Sequence, residues 1–481
     1  MLFTEPTFLF LFLPVLLALY FARRPHAAYA NWLLLAASII FYAKGGGHFT
    51  WLVLASIAFN YWMALGVERA MVVSRARARR IVGAAVAINL AVLGVLKYTN
   101  FVADNVAALL ARDGTAPFAL PNILLPIGIS FFTFHAISYV VDVFRGNATA
   151  QQSPVHAALY MLLFPQLIAG PIIRYKDIAD QLARRVVVLD DVARGVERFM
   201  IGLGKKVLIA NTVAVPADTI FGLPAAQISL GHAWLAIVCY TLQIYFDFSG
   251  YSDMAVGLGR MFGFRFPENF RWPYIAQSVQ EFWRRWHMSL SSWFRDYLYV
   301  PLGGNRGTEA RTYRNLVTVF FLCGLWHGAS WNFVIWGVFH GAFLVVERLG
   351  LARLTMRWPR VLRHAYLMLV VMVGWVFFRA DTLPGAAAFL RAMFGFNLTP
   401  EPTPLTVGFH LTPELWLALV AGTVGAAPLV PALNRWRSAT TARVKRLTLD
   451  AAGLAVLVVV FVASLMQIAA GSYNPFIYFR F

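Results

Sequence analysis

Apolar runs close to the length of a bilayer-crossing helix recur along almost the whole chain. They lie at 6–22, 31–43, 50–67, 81–98, 123–144, 155–172, 195–215, 231–249, 313–326, 331–348, 362–379, 412–432 and 449–471. A helix rises about 1.5 Å per residue, so a hydrocarbon layer of about 30 Å takes ~20 residues to cross. About eleven of the runs qualify as spans by that measure, and the shorter ones are expected to tilt or re-enter. Composition enters here: 59% of the 481 residues are hydrophobic and 13% are charged, whereas a soluble domain carries about 25% charged residues. So few charges cannot cover a water-exposed surface. The chain is expected to be an all-α polytopic integral membrane protein with about eleven transmembrane helices plus re-entrant or interfacial helices. Disorder and fibrous repeats are excluded on the same grounds.

The net charge is +19, from 41 Lys and Arg against 22 Asp and Glu. The basic residues gather in short connections between apolar runs, the pattern set by the positive-inside rule and by anionic headgroups. No basic stripe interleaves with stacking aromatics, so nucleic acid is set aside and membrane lipid is the expected surroundings. Three clusters should be cytoplasmic: Arg69, Arg75, Arg77, Arg79 and Arg80; Arg353, Arg357, Arg360 and Arg363; and Arg435, Arg437, Arg443, Lys445 and Arg446. The 449–471 run then ends outside, the tail Asn474-Pro475-Phe476-Ile477-Tyr478-Phe479 and the 381–411 loop face the exterior, and the 331–348 run starts near His327 on the outer side. At the N-terminus, Glu5 stands where a signal peptide has its basic region. The apolar run Phe8 to Phe21 precedes Arg23 and Arg24 without a small-x-small site, which reads as a retained first helix with its N-terminus outside.

Cys239 and Cys323 sit inside apolar runs and are expected to pack as small hydrophobes. There is no CxxC pair, no H-x-x-x-H spacing and no G-x-S-x-G elbow, so neither a metal site nor a serine hydrolase triad is suggested. No internal repeat is visible.

From Asp247 to Asn315 the apolar pattern is broken by charge, Gly and Pro, and irregular backbone at membrane depth is tolerated only inside protein or along a cavity. Three constellations in and just beyond this stretch carry chemistry. In Leu325-Trp326-His327-Gly328-Ala329-Ser330-Trp331-Asn332-Phe333, an intramembrane histidine stands between two apolar runs. It suits general acid–base work, and it equally suits a hydrogen bond between helices. In Glu281-Phe282-Trp283-Arg284-Arg285-Trp286-His287-Met288-Ser289, helical spacing places Trp283, His287, Leu290 and Phe294 on one face. That pattern reads as an interfacial amphipathic helix, or as one that turns His287 into the cavity of His327. In Pro301-Leu302-Gly303-Gly304-Asn305-Arg306-Gly307, a Gly-rich loop with one arginine is a turn or a phosphate cradle. His340 and His135 are expected to be packed and hydrogen-bonded.

With these stretches in view, the chain resembles the membrane-bound O-acyltransferases, in particular the bacterial branch of alginate O-acetylation and teichoic acid D-alanyl transfer. The resemblance is carried, in order, by Leu11 to Pro14, Phe164-Pro165-Gln166 through Gly170-Pro171 to Arg174, Tyr245 to Ala255 around Asp247 and Asp253, Phe282 to Trp293, Tyr297 to Arg306, Trp326 to Asn332, and the Asn474 to Phe479 tail. It implies a single O-acyltransferase domain over 1–481, with helices around a central funnel or tunnel. The family's two histidines fall on His327 and His287, which makes both catalytic candidates. Asp247, Asp253, Trp283 and Asn332 become tunnel-lining residues, and Gly303, Gly304 and Arg306 a donor-binding loop. The resemblance further implies an acetyltransferase of the bacterial inner membrane with no bound cofactor and acetyl-CoA as donor. The acetyl group would cross to an exterior partner of the SGNH acetyltransferase type, or to a polysaccharide such as alginate. A transporter or flippase, and a scaffold subunit of a polysaccharide export complex, are the readings from other classes.

Overall fold

The computed structural model describes residues 1–22, 27–111, 123–397, 399–429, 431–432, 435, 443–471 and 473–477. Arg23, Arg24, His26, Arg437, Tyr478 and Phe479 lie outside the described residues, as do the side chains of Arg443, Lys445 and Arg446. Among the described residues the protein is all-α, with helices and turns and no strand. Seven helices are long and apolar enough to cross a membrane: Ala27–Gly46, Phe49–Val73, Arg75–Leu110, Leu189–Phe221, Trp331–Thr355, Arg360–Arg379 and Leu447–Ala469. Leu230–Met261 and Glu309–His327 fall on two further expected spans. They are not among the seven because polar side chains such as Gln243, Asp247, Arg311 and Asn315 dilute their apolar character.

The chain forms two compact units, one of Met1–Val196 with Ala255–Pro267, the other of Glu197–Met254 with Glu268–Phe481. In the first, Phe49–Val73 and Arg75–Leu110 are separated by Ser74 alone, whose extended backbone (φ −161°) starts the second helix and whose Oγ caps Arg77 N–H. The expected basic loop at 69–80 is therefore helical except at this one residue. The same two helices are joined at depth by Asn60 and Asn89, whose side-chain amides bond reciprocally at 3.1 and 2.7 Å, the polar glue that lipid cannot replace. The expected span at 155–172 breaks into Pro154–Leu162 and Phe164–Leu167. Pro165 sits in the first turn of the second piece, and a Cβ at Gly170 would meet the Pro165 carbonyl oxygen at 2.5 Å, so only glycine allows this reversal.

In the second unit, the helix that begins at Leu230 runs unbroken through Asp247, Gly250 and Asp253. The sequence predicts irregular backbone from Asp247 onward. Gly250 instead serves packing: its Cβ would lie 2.7 Å from the Gly202 carbonyl, and a Cβ on Gly202 would lie 2.6 Å from that of Gly250. The two acids are held by the partner segment. Lys206 pairs with Asp247 at 2.6 Å, both side chains almost wholly buried, while Asp253 receives Lys205 at 2.7 Å and Arg198 at 2.8 Å. Both lysines sit on the π-helical stretch Lys205–Ala210, a geometry that recurs at functional sites. The 381–411 stretch, expected as a loop, begins with the helix Leu383–Met393, capped by Thr382.

Candidate functional site

The site lies in the second unit and begins with a broken helix. Val279–Trp283 is capped at its start by Ser278 Oγ, and both carboxylate oxygens of Glu347 accept its first free N–H groups, from Val279 at 2.7 Å and Gln280 at 3.0 Å. An acid there offsets the positive end of the helix. The chain then turns, and His287 takes a left-handed conformation (φ 42°, ψ 54°) before Met288–Phe294 resumes as helix. A continuous amphipathic helix through 281–293 is thereby overturned, and with it the shared face of Trp283 and His287. The cause is a pairing with the irregular segment at Asn269 to Arg271. Arg271 N–H donates to the Arg285 carbonyl and Met288 N–H to the Asn269 carbonyl, each at 2.9 Å. Trp272 (φ 47°) and His287 are the described non-glycine residues with positive φ, a strain of about 1–3 kcal/mol each that tends to gather at functional sites.

His327 is the last residue of Glu309–His327, and Trp331 starts the next helix. Two glycines let these helices touch backbone to backbone. A Cβ on Gly324 would lie 2.3 Å from the Phe333 carbonyl oxygen, and one on Gly337 would lie 2.3 Å from that of Phe320. The contact folds the Gly328-Ala329-Ser330 turn back and delivers His327 edge-on to Trp336 (5.0 Å between ring centres) and Phe378 (5.2 Å). His327 lines a small cavity of about 10 Å³ walled also by Ile244, Phe248, Trp286, Trp336, Phe378 and Ile477, roughly the room of one water.

The fold brings the two expected histidines together around shared rings. Trp326 packs on His327 at 4.8 Å and on His287 at 6.4 Å, and Phe248, in the cavity wall, meets His287 edge-on at 4.6 Å. His287 Nδ1 bonds Asn269 Oδ1 at 3.0 Å, while its Nε2 is buried without a hydrogen-bond partner among the described residues.

A second, more open cavity of about 310 Å³ lies beside the first. Its walls include Trp283, Phe294, Tyr299, Phe320 and Cys323, with Arg284, Arg295 and Arg348 among the lining residues. Cys323 is one helical turn before His327 on the same face. Trp283 separates the two spaces: it lines the larger, and its ring packs on Trp336 of the smaller at 5.6 Å and on His340 at 5.1 Å. An apolar chamber bordered by guanidinium groups suits an amphiphile with an anionic head.

The other expected site residues are placed as follows. Asp247 is bound by Lys206 and by Ile477 N–H (2.8 Å), so it ties the tail to the cavity that Ile477 lines. Asp253 is committed to Arg198 and Lys205. Asn332 donates to the Ala380 carbonyl. Gly303 and Gly304 both have positive φ (103° and 56°), and Asn315 Nδ2 donates to the Leu302 and Gly304 carbonyls at 3.2 and 3.0 Å, which fixes the loop as a tight turn with Arg306 exposed. His340 is packed as expected, but neither ring nitrogen has a hydrogen-bond partner among the described residues. Residues that the sequence does not single out are Asn269, Lys206, Arg198, Trp336 and Arg348. Only Asn269 carries a signal, lying in the Pro- and Trp-rich break before His287.

Residues 125–383, more than half the chain, match the MBOAT, membrane-bound O-acyltransferase family. The chain belongs to the membrane-bound O-acyltransferase family. It is thus a multi-pass membrane enzyme, an O-acyltransferase. The matched stretch contains both histidines and both flanking cavities except for Ile477. The chain is 44% identical over 504 aligned residues to the "Probable alginate O-acetylase AlgI" of Azotobacter vinelandii, covering 100% of each. It is 37% identical to the peptidoglycan O-acetyltransferase of Helicobacter pylori, over 82% of this chain and 80% of that one. It is 32% identical to the teichoic acid D-alanyltransferase of Bacillus subtilis, over 46% of this chain and 59% of that one.

Proposed function

We propose that this membrane-bound O-acyltransferase is an O-acetyltransferase of the bacterial inner membrane. It takes the acetyl group from acetyl-CoA on the cytoplasmic side and passes it to a hydroxyl on the exterior side, on a polysaccharide such as alginate or on an SGNH-type partner that serves one. The observation that carries this reading is buried His327 in the wall of a cavity of about 10 Å³, which has no room for a long acyl chain, with buried His287 across the shared Trp326 ring. The names of the relatives above support acetyl as that group and a polysaccharide as the destination.

In this reading the phosphates of the donor meet Arg284, Arg295 and Arg348 at the larger cavity, with Arg306 on the Gly303-Gly304 turn assigned to the same head group. The apolar chamber holds the pantetheine arm, and Trp283 stands where the thioester must pass. His327 is the general base: it takes the proton of the incoming hydroxyl as that oxygen attacks the thioester carbonyl carbon. The tetrahedral intermediate collapses with loss of the carbon–sulfur bond, and the proton on His327 returns to the departing thiolate. His287, packed on Phe248 of the cavity wall and on Trp326, is assigned to orient the substrate, and Asp247 and Lys206 hold the segment that bears Ile477 against the cavity. The rings around both histidines exclude water, which would otherwise hydrolyse the thioester.

The test uses sealed, oriented vesicles carrying the full chain, with unacetylated alginate oligosaccharide on the exterior side and radiolabelled acetyl-CoA on one side only. Label is expected on the oligosaccharide, or on the SGNH-type partner when that is supplied, only with acetyl-CoA at the cytoplasmic face. Equal labelling from either face overturns the crossing. No labelling from either face with both acceptors present overturns the acetyltransferase reading.

A further inference from the structure

Asn269 Oδ1 is the hub of the bend that holds His287. Ser289 N–H donates to it at 3.3 Å, Ser289 Oγ donates at 2.9 Å, and His287 Nδ1 lies 3.0 Å away. A backbone N–H can only donate, so the side-chain atom facing Ser289 N is the carbonyl oxygen, an orientation that leaves Asn269 Nδ2 buried without a hydrogen-bond partner among the described residues. An unprotonated Nδ1 would then point a lone pair at another lone pair at 3.0 Å. Contact at that distance is favourable only when Nδ1 carries the proton. In a neutral imidazole the other nitrogen must then be bare.

We infer that Asn269 is a positioning residue that holds His287 as the Nδ1–H tautomer, so that its buried Nε2 is left bare as a hydrogen-bond acceptor. Three observations converge on this. The backbone bonds of 269–271 with 285–288 fix the distance between the two side chains. The left-handed backbone of His287 directs its ring back toward Asn269 rather than along a helix face. His287 Nε2 is buried with no partner among the described residues, in a residue only 1% exposed, and an orphaned buried acceptor calls for a donor that arrives with a ligand. Among the described residues, the side chains in ring or hydrogen-bond contact with His287 include Asn269, Ser289, Phe248, Phe270 and Trp326, none of which carries a charge. The inference rests on the proposed acetyl transfer and narrows it. A bare Nε2 cannot donate to a developing oxyanion, so His287 orients a substrate O–H or N–H by accepting its hydrogen bond, while His327 removes the reacting proton.

Two variants of the full chain test this. Asn269→Asp keeps an acceptor oxygen in place, and Asn269→Leu removes it. The first readout is magnetic resonance of the imidazole nitrogens in histidine-labelled protein, with His287→Gln used to assign the signal. Wild type should show Nδ1 protonated and Nε2 bare at His287. A protonated Nε2 in the wild-type neutral ring overturns the inference whether or not acetyl transfer is detected, and a bare Nε2 in protein that transfers no acetyl overturns only the functional reading. The second readout is transfer from acetyl-CoA to unacetylated alginate oligosaccharide. Asn269→Leu should lower kcat/KM for the oligosaccharide roughly 10- to 100-fold, the cost of meeting a substrate donor with the wrong tautomer, with the KM for acetyl-CoA unmoved. Asn269→Asp should retain turnover, but its carboxylate favours the imidazolium, whose Nε2 donates. The acidic limb of kcat/KM should therefore move to higher pH. An unmoved limb in Asn269→Asp, or an unchanged kcat/KM in a folded Asn269→Leu protein, overturns the assignment.

Discussion

Replacing Lys206 by methionine tests how far a buried charge pair organises the cavity. Lys206 and Asp247 are 3% and 2% exposed and lie 2.6 Å apart. The ammonium donates to Asn211 Oδ1 at 2.8 Å and to the Pro475 carbonyl, and pairs with Asp247 Oδ1 by charge. Lys206→Met strands the Asp247 carboxylate with Ile477 N–H as its remaining described donor, and breaking a buried pair in this way costs about 3–5 kcal/mol. Asp247→Leu is expected to cost less, because Lys206 keeps the Asn211 and Pro475 oxygens. The double variant Lys206→Met/Asp247→Leu should recover most of the loss, since two apolar side chains of similar volume leave no unpaired charge. The tail behaves differently. It is held by Asn211 to Asn474 (3.1 Å), Lys206 to Pro475, Asp247 to Ile477, and Phe476 tilted against Tyr251 at 5.0 Å between ring centres. The double variant removes two of these polar contacts, worth roughly 2 kcal/mol, or about 30-fold faster opening. Thermal unfolding of the solubilised full chain, followed by tryptophan fluorescence, should rank wild type and the double variant above Asp247→Leu, with Lys206→Met lowest. Hydrogen exchange of a peptide covering 474–477 should stay fast in the double variant even as its unfolding midpoint recovers. A double variant no more stable than Lys206→Met, or a tail as protected as in wild type, refutes the reasoning.

His327→Ala should insert and accumulate normally, because a small neutral residue costs little at this position, and lose about 10²–10⁴ in acetyl transfer; near-normal transfer in this variant removes the general-base role. Gly337→Val puts a Cβ 2.3 Å from the Phe320 carbonyl oxygen, so the two helices must part at a cost of about 1–3 kcal/mol; turnover should fall with His327 still present, and unchanged activity would show that the close approach does not set its position. An alkaline phosphatase fused after residue 481 should be active and a fluorescent protein that folds only in the cytoplasm should be dark there, while the opposite pattern inverts the expected topology.

The helical, multi-pass character of this chain was decided by the sequence alone, because about thirty ångströms of hydrocarbon demand long apolar runs with no other solution for the backbone. The family was legible too, since its motifs are contiguous strings such as Trp326-His327-Gly328 and Asp247-Phe248-Ser249. What the strings could not convey was partnership. Helical periodicity put His287 on a face with Trp283, but bonds from Asn269 and Arg271, more than ten residues earlier, break that helix and turn His287 toward Asn269. Gly, Ser and Asp between 247 and 253 read as a broken backbone, yet the helix continues because Gly202 and the cations of Arg198, Lys205 and Lys206 come to meet them. Residue type and spacing along the chain determined which side chains could do the chemistry. Only tertiary contacts between distant segments decided which of them share a cavity, because a hydrogen bond or an ion pair depends on separation in space, and separation along the chain does not set it.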